Sequence, residues 1–159
     1  MNKLIINWKK PDLSDEIEEY TGNNYTKNFF KKKGLIFKSD KEVLDFLNSG
    51  KSVTITHSQL SSHYDNLTLD SKHFESELAD PDYALSFRSM EKILQDKGTI
   101  TLPMPIIINF RGLYYGYAGN RRMNLAFKYG IPLKVWLVNV QSKKLISVAA
   151  ILRDIIGMK

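Results

Sequence analysis

The residues best suited to chemistry fall in one run, Gly116-Tyr117-Ala118-Gly119-Asn120-Arg121-Arg122-Met123-Asn124-Leu125, which joins an apolar strand to a helix through two glycines and two adjacent arginines. Such a junction suits phosphate. Glycine lets the backbone come close to a ligand, the first N–H groups of a helix point away from its body, and arginine adds fixed charge in a fork that matches phosphate oxygens. Gly119, Asn120, Arg121 and Arg122 are therefore the candidate phosphate-binding residues.

Other chemistry is thinner. His57, His63 and His73 are spaced irregularly and lack the i, i+4 pairing that puts two imidazoles on one helical face for zinc. His63 and Asp65 share a face if their segment is extended, which makes them the candidate acid–base pair; loop hydrogen bonding is the competing role. Glu75, Glu77, Asp80 and Asp82 are carboxylates that could hold Mg²⁺ together with nucleotide phosphates, and no metal site built from the protein alone is expected. Gly50-Lys51-Ser52 looks like the end of a P-loop, but a helix precedes it and a strand follows, the reverse of the order that motif needs. Phe29 and Phe30 beside Lys31, Lys32 and Lys33 could stack the bases of a single strand, against the alternative that the rings are core and the lysines solvated.

The elements that must position the arginine turn are readable around it. Residues 105–110 are apolar and β-branched, Arg111-Gly112 forms a turn, and 113–117 return with aromatics, which predicts a hairpin. Met123, Ala126 and Phe127 then recur at helical spacing, Gly130 suits a left-handed cap, Pro132 ends the helix, and 135–138 begin a strand. Upstream, the pattern predicts an acidic helix over 11–20 with Leu13, Ile17 and Tyr20 on one face. It also predicts a helix over 39–48 capped by Ser39, a strand over 53–56 and a helix over 83–96. The stretch 57–89 contains the polar run 61–66 and all three histidines. One further helix is expected over 144–156.

The region 80–140 resembles the ParB/sulfiredoxin superfamily, which includes ParB-like nuclease domains. The resemblance rests on a helix ending in glycine over 91–98, the proline-led strand from Pro105, the box Gly119-Asn120-Arg121-Arg122 with Ala126 behind it, and the exit Gly130-Ile131-Pro132. In the ParB branch the box reads glycine, glutamate and two arginines, and binds nucleotide phosphates; Asn120 replaces the glutamate here. The sulfiredoxin branch needs cysteine at Asn120, and this chain has no cysteine, so that activity is excluded on the family pattern. The free-serine kinase branch shares an arginine at Arg122. The resemblance also implies an anion-binding role for Arg88. It implies a fold of mixed α/β (α+β) class, a small mixed sheet flanked by helices, with 1–50 as a helical extension packed on a ParB/sulfiredoxin-like domain over 51–159 in a single globular unit. The partition-type segments containing Glu-Asn and Gln-Arg are missing, and the given sequence stops short of a helix-turn-helix reader, so site-specific partition binding is not expected.

Composition sets the outer limits. At 159 residues, with 43% hydrophobic and 25% charged residues, the chain has the size and balance of one globular domain. Without cysteine it forms no disulfide, which accords with a reducing cytoplasm, and no apolar run approaches membrane-spanning length. The net charge of +6 is uneven: residues 101–159 hold nine basic residues and one acidic residue. That excess adjoins the arginine turn and would attract polyanions. The leading expectation is thus a nucleotide-binding (ATP or CTP) ParB-like domain, with Mg²⁺ as accessory ion, acting on or with DNA through its basic C-terminal third. The alternatives are a small-molecule or nucleoside kinase using ATP or ADP, and a non-catalytic binder or inhibitor. Whether the protein hydrolyses nucleotides, cleaves nucleic acid or transfers phosphoryl groups is open, as is its oligomeric state.

Overall fold

A computed structural model describes residues 3–61 and 78–140. In chain order the elements are β1 (Ile5–Lys9), α1 (Glu18–Thr21), α2 (Asn24–Lys32), α3 (Asp40–Asn48), β2 (Lys51–Ile55), α4 (His57–Ser61), α5 (Pro81–Lys97), β3 (Thr99–Pro103), β4 (Ile106–Phe110), β5 (Leu113–Ala118), α6 (Asn120–Lys128) and β6 (Leu133–Asn139). The architecture is mixed α/β, a small mixed sheet flanked by helices. Four strands run in the order β2-β6-β4-β5, with β4 parallel to β6 and antiparallel to β5, and β2 antiparallel to β6. A separate parallel pair joins β1 to β3.

The sheet is covered on both faces, which explains the near-continuous apolar character of its central strands. Ile107, Val135 and Leu137 belong to one core cluster with Phe87 and Leu94 of α5, Met123, Leu125 and Ala126 of α6, and Ile6 and Ile100 of the β1–β3 pair. Ile106, Ile108, Tyr115, Trp136 and Val138 belong to a second, with Leu13, Tyr20, Phe30 of α2, and Val43 and Leu47 of α3. Neighbouring residues along β4 thus serve opposite cores, as the two-residue period of a strand requires.

Local chemistry sets the helix ends. Ser39 accepts from the Glu42 amide at 3.2 Å while the Glu42 carboxylate accepts from the Lys38 amide at 2.6 Å, a close relative of the reciprocal capping box. Asp80 caps α5 by accepting from the Asp82 amide, Pro81 takes the first turn, and Gly98 closes the helix at φ 74°. Arg111 and Gly112, at φ 57° and 95°, make the tight left-handed turn that matches the twist of β4 and β5.

One expected element changes. The acidic helix expected over 11–20 is a series of turns that becomes α1 only at Glu18, although Leu13 and Tyr20 are buried as expected. The lysine-rich stretch after Asn23 is helix α2, its start fixed by the Asn23 side chain accepting from the amides of Tyr25 and Thr26. Gly50 belongs to a packing contact: a Cβ there would lie 2.5 Å from Nε1 of Trp136, whose indole donates to the Leu47 carbonyl at 2.8 Å.

Candidate functional site

The sheet delivers its site through a bulge. Ile106 pairs with Ala118 but Ile107 pairs with Gly116, so Tyr117 is an extra residue at the end of β5. Bulges re-aim a strand end, and this one leads into Gly119, which adopts φ 95° and caps α6 without a side-chain acceptor. The glycine is required twice over. Its backbone lies in the left-handed region, and a Cβ would fall 2.7 Å from Arg122 Nη2 and 2.8 Å from Pro105 Cα.

The head of α6 opens into a cavity of about 760 Å³. Gly119, Asn120, Arg121 and Arg122 all line it, so the structure brings together the four residues singled out at the turn. Tyr83, Ser86 and Met90 of α5 line it too, with Leu102 and Pro103 at the end of β3. Arg122 is half-buried and donates from Nη1 to the Pro103 carbonyl at 3.0 Å. Arg121 is exposed, its guanidinium 5.6 Å from the centre of the Tyr83 ring, whose hydroxyl accepts from Nδ2 of buried Asn124 at 2.7 Å. The positive end of the helix dipole adds to both charges.

The cavity is not uniformly positive. Glu16, Glu19, Asp80 and Asp82 line it as well, so its walls carry four carboxylates against two guanidinium groups. Glu16 arrives from the N-terminal segment, where the Tyr117 hydroxyl donates to its main-chain carbonyl at 2.6 Å. Burial pushes the Glu16 carboxyl above its usual range, opposed by the Arg122 guanidinium; Glu19 at the rim moves the same way by burial, opposed by Arg121 and Arg122. Arg122 is lowered by desolvation, with Glu16 acting against the shift. Tyr117 is raised by burial first and then by Glu19 and Glu16, so it stays a neutral hydrogen-bond donor. Among the described residues neither arginine enters an ion pair within 4.0 Å; the pairs formed are Lys41–Asp45, Lys92–Asp96 and Lys128–Glu91.

His63, Asp65, His73, Glu75 and Glu77 lie outside the described residues, as do Lys143, Lys144, Arg153 and the helix expected over 144–156. Arg88 is on the exposed face of α5, away from the cavity, with its charge acting on Glu91. Lys128 is committed to Glu91 at 2.5 Å, so it is unavailable to the turn. Phe30 is 1% exposed, and Phe29 stacks on Tyr115 with ring centres 4.5 Å apart, so these rings serve the core instead of stacking bases. Among the described residues no group of three His, Asp or Glu side chains is placed to hold a metal ion, and no helix is long and apolar enough to cross a membrane.

Sequence reasoning missed Glu16 and Glu19. They fall in the acidic stretch expected as a helix over 11–20, and nothing local marks them as neighbours of residues about a hundred positions later. No family model matches this chain, and no curated protein or solved structure matches it.

Proposed function

We propose that the chain is a nucleotide-binding domain of ParB/sulfiredoxin-like type that acts on or with DNA, its cavity gripping the phosphates of ATP or CTP. The observation that carries this reading is the head of α6, where a glycine at φ 95° and two arginines outside any described ion pair line one cavity of about 760 Å³. That volume lies within the range of small-molecule sites. Arg122 is the principal phosphate ligand, because its partial burial lowers the local dielectric and so strengthens its attraction to an anion, and its bond to the Pro103 carbonyl fixes its direction. Mg²⁺ would enter as a companion of the phosphates, with Asp80 and Asp82 lining the same cavity. The basic balance of residues 101–159 supports a polyanionic partner.

The carboxylate-rich wall favours a second reading, phosphoryl transfer from a nucleotide to a small hydroxyl-bearing molecule, in which Glu16, Glu19, Asp80 and Asp82 would receive the polar acceptor opposite the arginines. A thermal-shift screen with ATP, ADP, CTP and short DNA, each with and without Mg²⁺, separates the two, since ligands that bind the native state raise its melting temperature. Shifts by nucleotide and by DNA, the latter lost in high salt, support the first. A nucleotide shift without a DNA shift supports phosphoryl transfer, and no shift from any ligand contradicts both.

A further inference from the structure

We propose that Glu16 and Glu19 are a resident counter-anion to Arg121 and Arg122, so that the cavity takes up a proton when it binds phosphate. The inference rests on the phosphate-binding reading above and adds to it a rule about which charge states the site admits. Four observations support it. Both carboxylates line the same cavity as both arginines. The segment bearing Glu16 is pinned: the Tyr117 hydroxyl holds its carbonyl at 2.6 Å, and its flanking residues Leu13 and Tyr20 are 5% and 6% exposed. No ion pair within 4.0 Å locks carboxylate to guanidinium among the described residues, so the arginines remain open to an incoming anion. Finally, burial already pushes both carboxyls above their usual range.

An anion that docks on Arg122 takes over the charge that offsets Glu16, and it sets a second negative charge beside a carboxylate that cannot swing away with its backbone. Like charges in a partly desolvated site raise the carboxyl pKa further. The groups around Glu16 and Glu19 offer no other relief. Asp12 and Asp15 on their own segment, and Asp80 and Asp82 at the start of α5, carry the same sign, while Tyr115 and Tyr117 on β5 are neutral and held so by burial. Arg121 and Arg122 on α6 are the cations the anion itself engages. Protonation is the remaining response. Affinity therefore falls as pH rises through the interval between the carboxyl pKa values of the free and bound protein, and the site disfavours ligands whose negative charge arrives without an accompanying proton or cation.

The test is calorimetric titration of the whole protein with sodium sulfate, whose charge is constant across the range used, at about pH 5.5 and 7.5 in buffers of different ionisation enthalpy. The wild type is expected to bind roughly fivefold or more tightly at the lower pH, with proton uptake visible as a buffer-dependent enthalpy. Glu16→Gln and Glu19→Gln are expected to bind more tightly than wild type at the higher pH, with the pH dependence flattened. Glu19→Gln, at the rim, serves if the other variant does not fold. Equal wild-type affinity at both pH values without proton uptake, or unchanged affinity in the glutamine variants, overturns the counter-anion while leaving phosphate binding intact. Sulfate binding absent from wild type and variants alike overturns the phosphate reading, and this inference with it.

Discussion

The Tyr117 hydroxyl donates to the main-chain carbonyl of Glu16 at 2.6 Å, joining residues 101 positions apart. One end of this bond is the bulge that aims the arginine turn, and the other is the acidic segment that closes the same cavity. Tyr117 is 4% exposed, so its hydroxyl has little water to turn to. Tyr117→Phe should cost about 1–3 kcal/mol, the usual penalty for stranding a buried hydrogen-bonding group. Urea denaturation would measure it. Nucleotide affinity should change in the same variant, because Glu16 loses its fixed place.

Gly119 should tolerate no side chain. At Gly112, also at φ 95°, nothing lies within 4 Å of an added Cβ, so Gly112→Ala should cost only the left-handed strain, about 1–2 kcal/mol. Gly119→Ala carries the same strain plus contacts at 2.7 Å with Arg122 Nη2 and 2.8 Å with Pro105 Cα. Denaturation midpoints should order wild type above Gly112→Ala above Gly119→Ala. Nucleotide binding should suffer in the second variant alone.

The acid and neutral limbs of stability should respond to different glutamates. Burial works against ionised Glu91, but hydrogen bonds from Lys128 and Tyr129 outweigh it and hold the carboxyl below its ordinary value of 4.5. Its stabilising contribution is present above pH 4.5 and lost as pH falls through the lowered folded value. Glu91→Gln should therefore lower the melting temperature at neutral pH, with the gap closing in acid.

Glu16 has the opposite sign. Its folded value is raised above 4.5, so the folded state favours the protonated form and ionisation on going to neutral pH weakens the fold. Glu16→Gln should raise the melting temperature at neutral pH, and the gain should vanish below pH 4.5. A melting-temperature series from acid to neutral pH on both glutamine variants checks both signs.

Much of the site's frame could be read from residue types because the signals there are local. Arg111-Gly112 between aromatic and β-branched runs marks the hairpin, and Gly130 with Pro132 marks the end of α6. The strands β1 and β3 were invisible for a physical reason. They pair in parallel across more than ninety residues, so no short turn announces them, and β1 buries Ile6 while leaving Ile5, Asn7 and Lys9 exposed. The acidic wall was hidden likewise: Glu16 is recognisable as part of the site only once Tyr117 and Arg122 are folded against it. Of the basic residues counted over 101–159, Lys128 is paired with Glu91, while Arg111 and Lys134 are exposed.

The central claim is that Arg122 holds nucleotide phosphate. Titration calorimetry of ATP and CTP, with Mg²⁺, into wild type and Arg122→Ala tests it most directly, with melting temperatures recorded because the variant also loses the bond to the Pro103 carbonyl. A charge-assisted bond to phosphate contributes roughly 1.5–3 kcal/mol, so the folded variant should bind about tenfold or more weakly, and Arg121→Ala should lose less. Equal affinity in wild type and folded Arg122→Ala, or no nucleotide binding by either, would contradict the account.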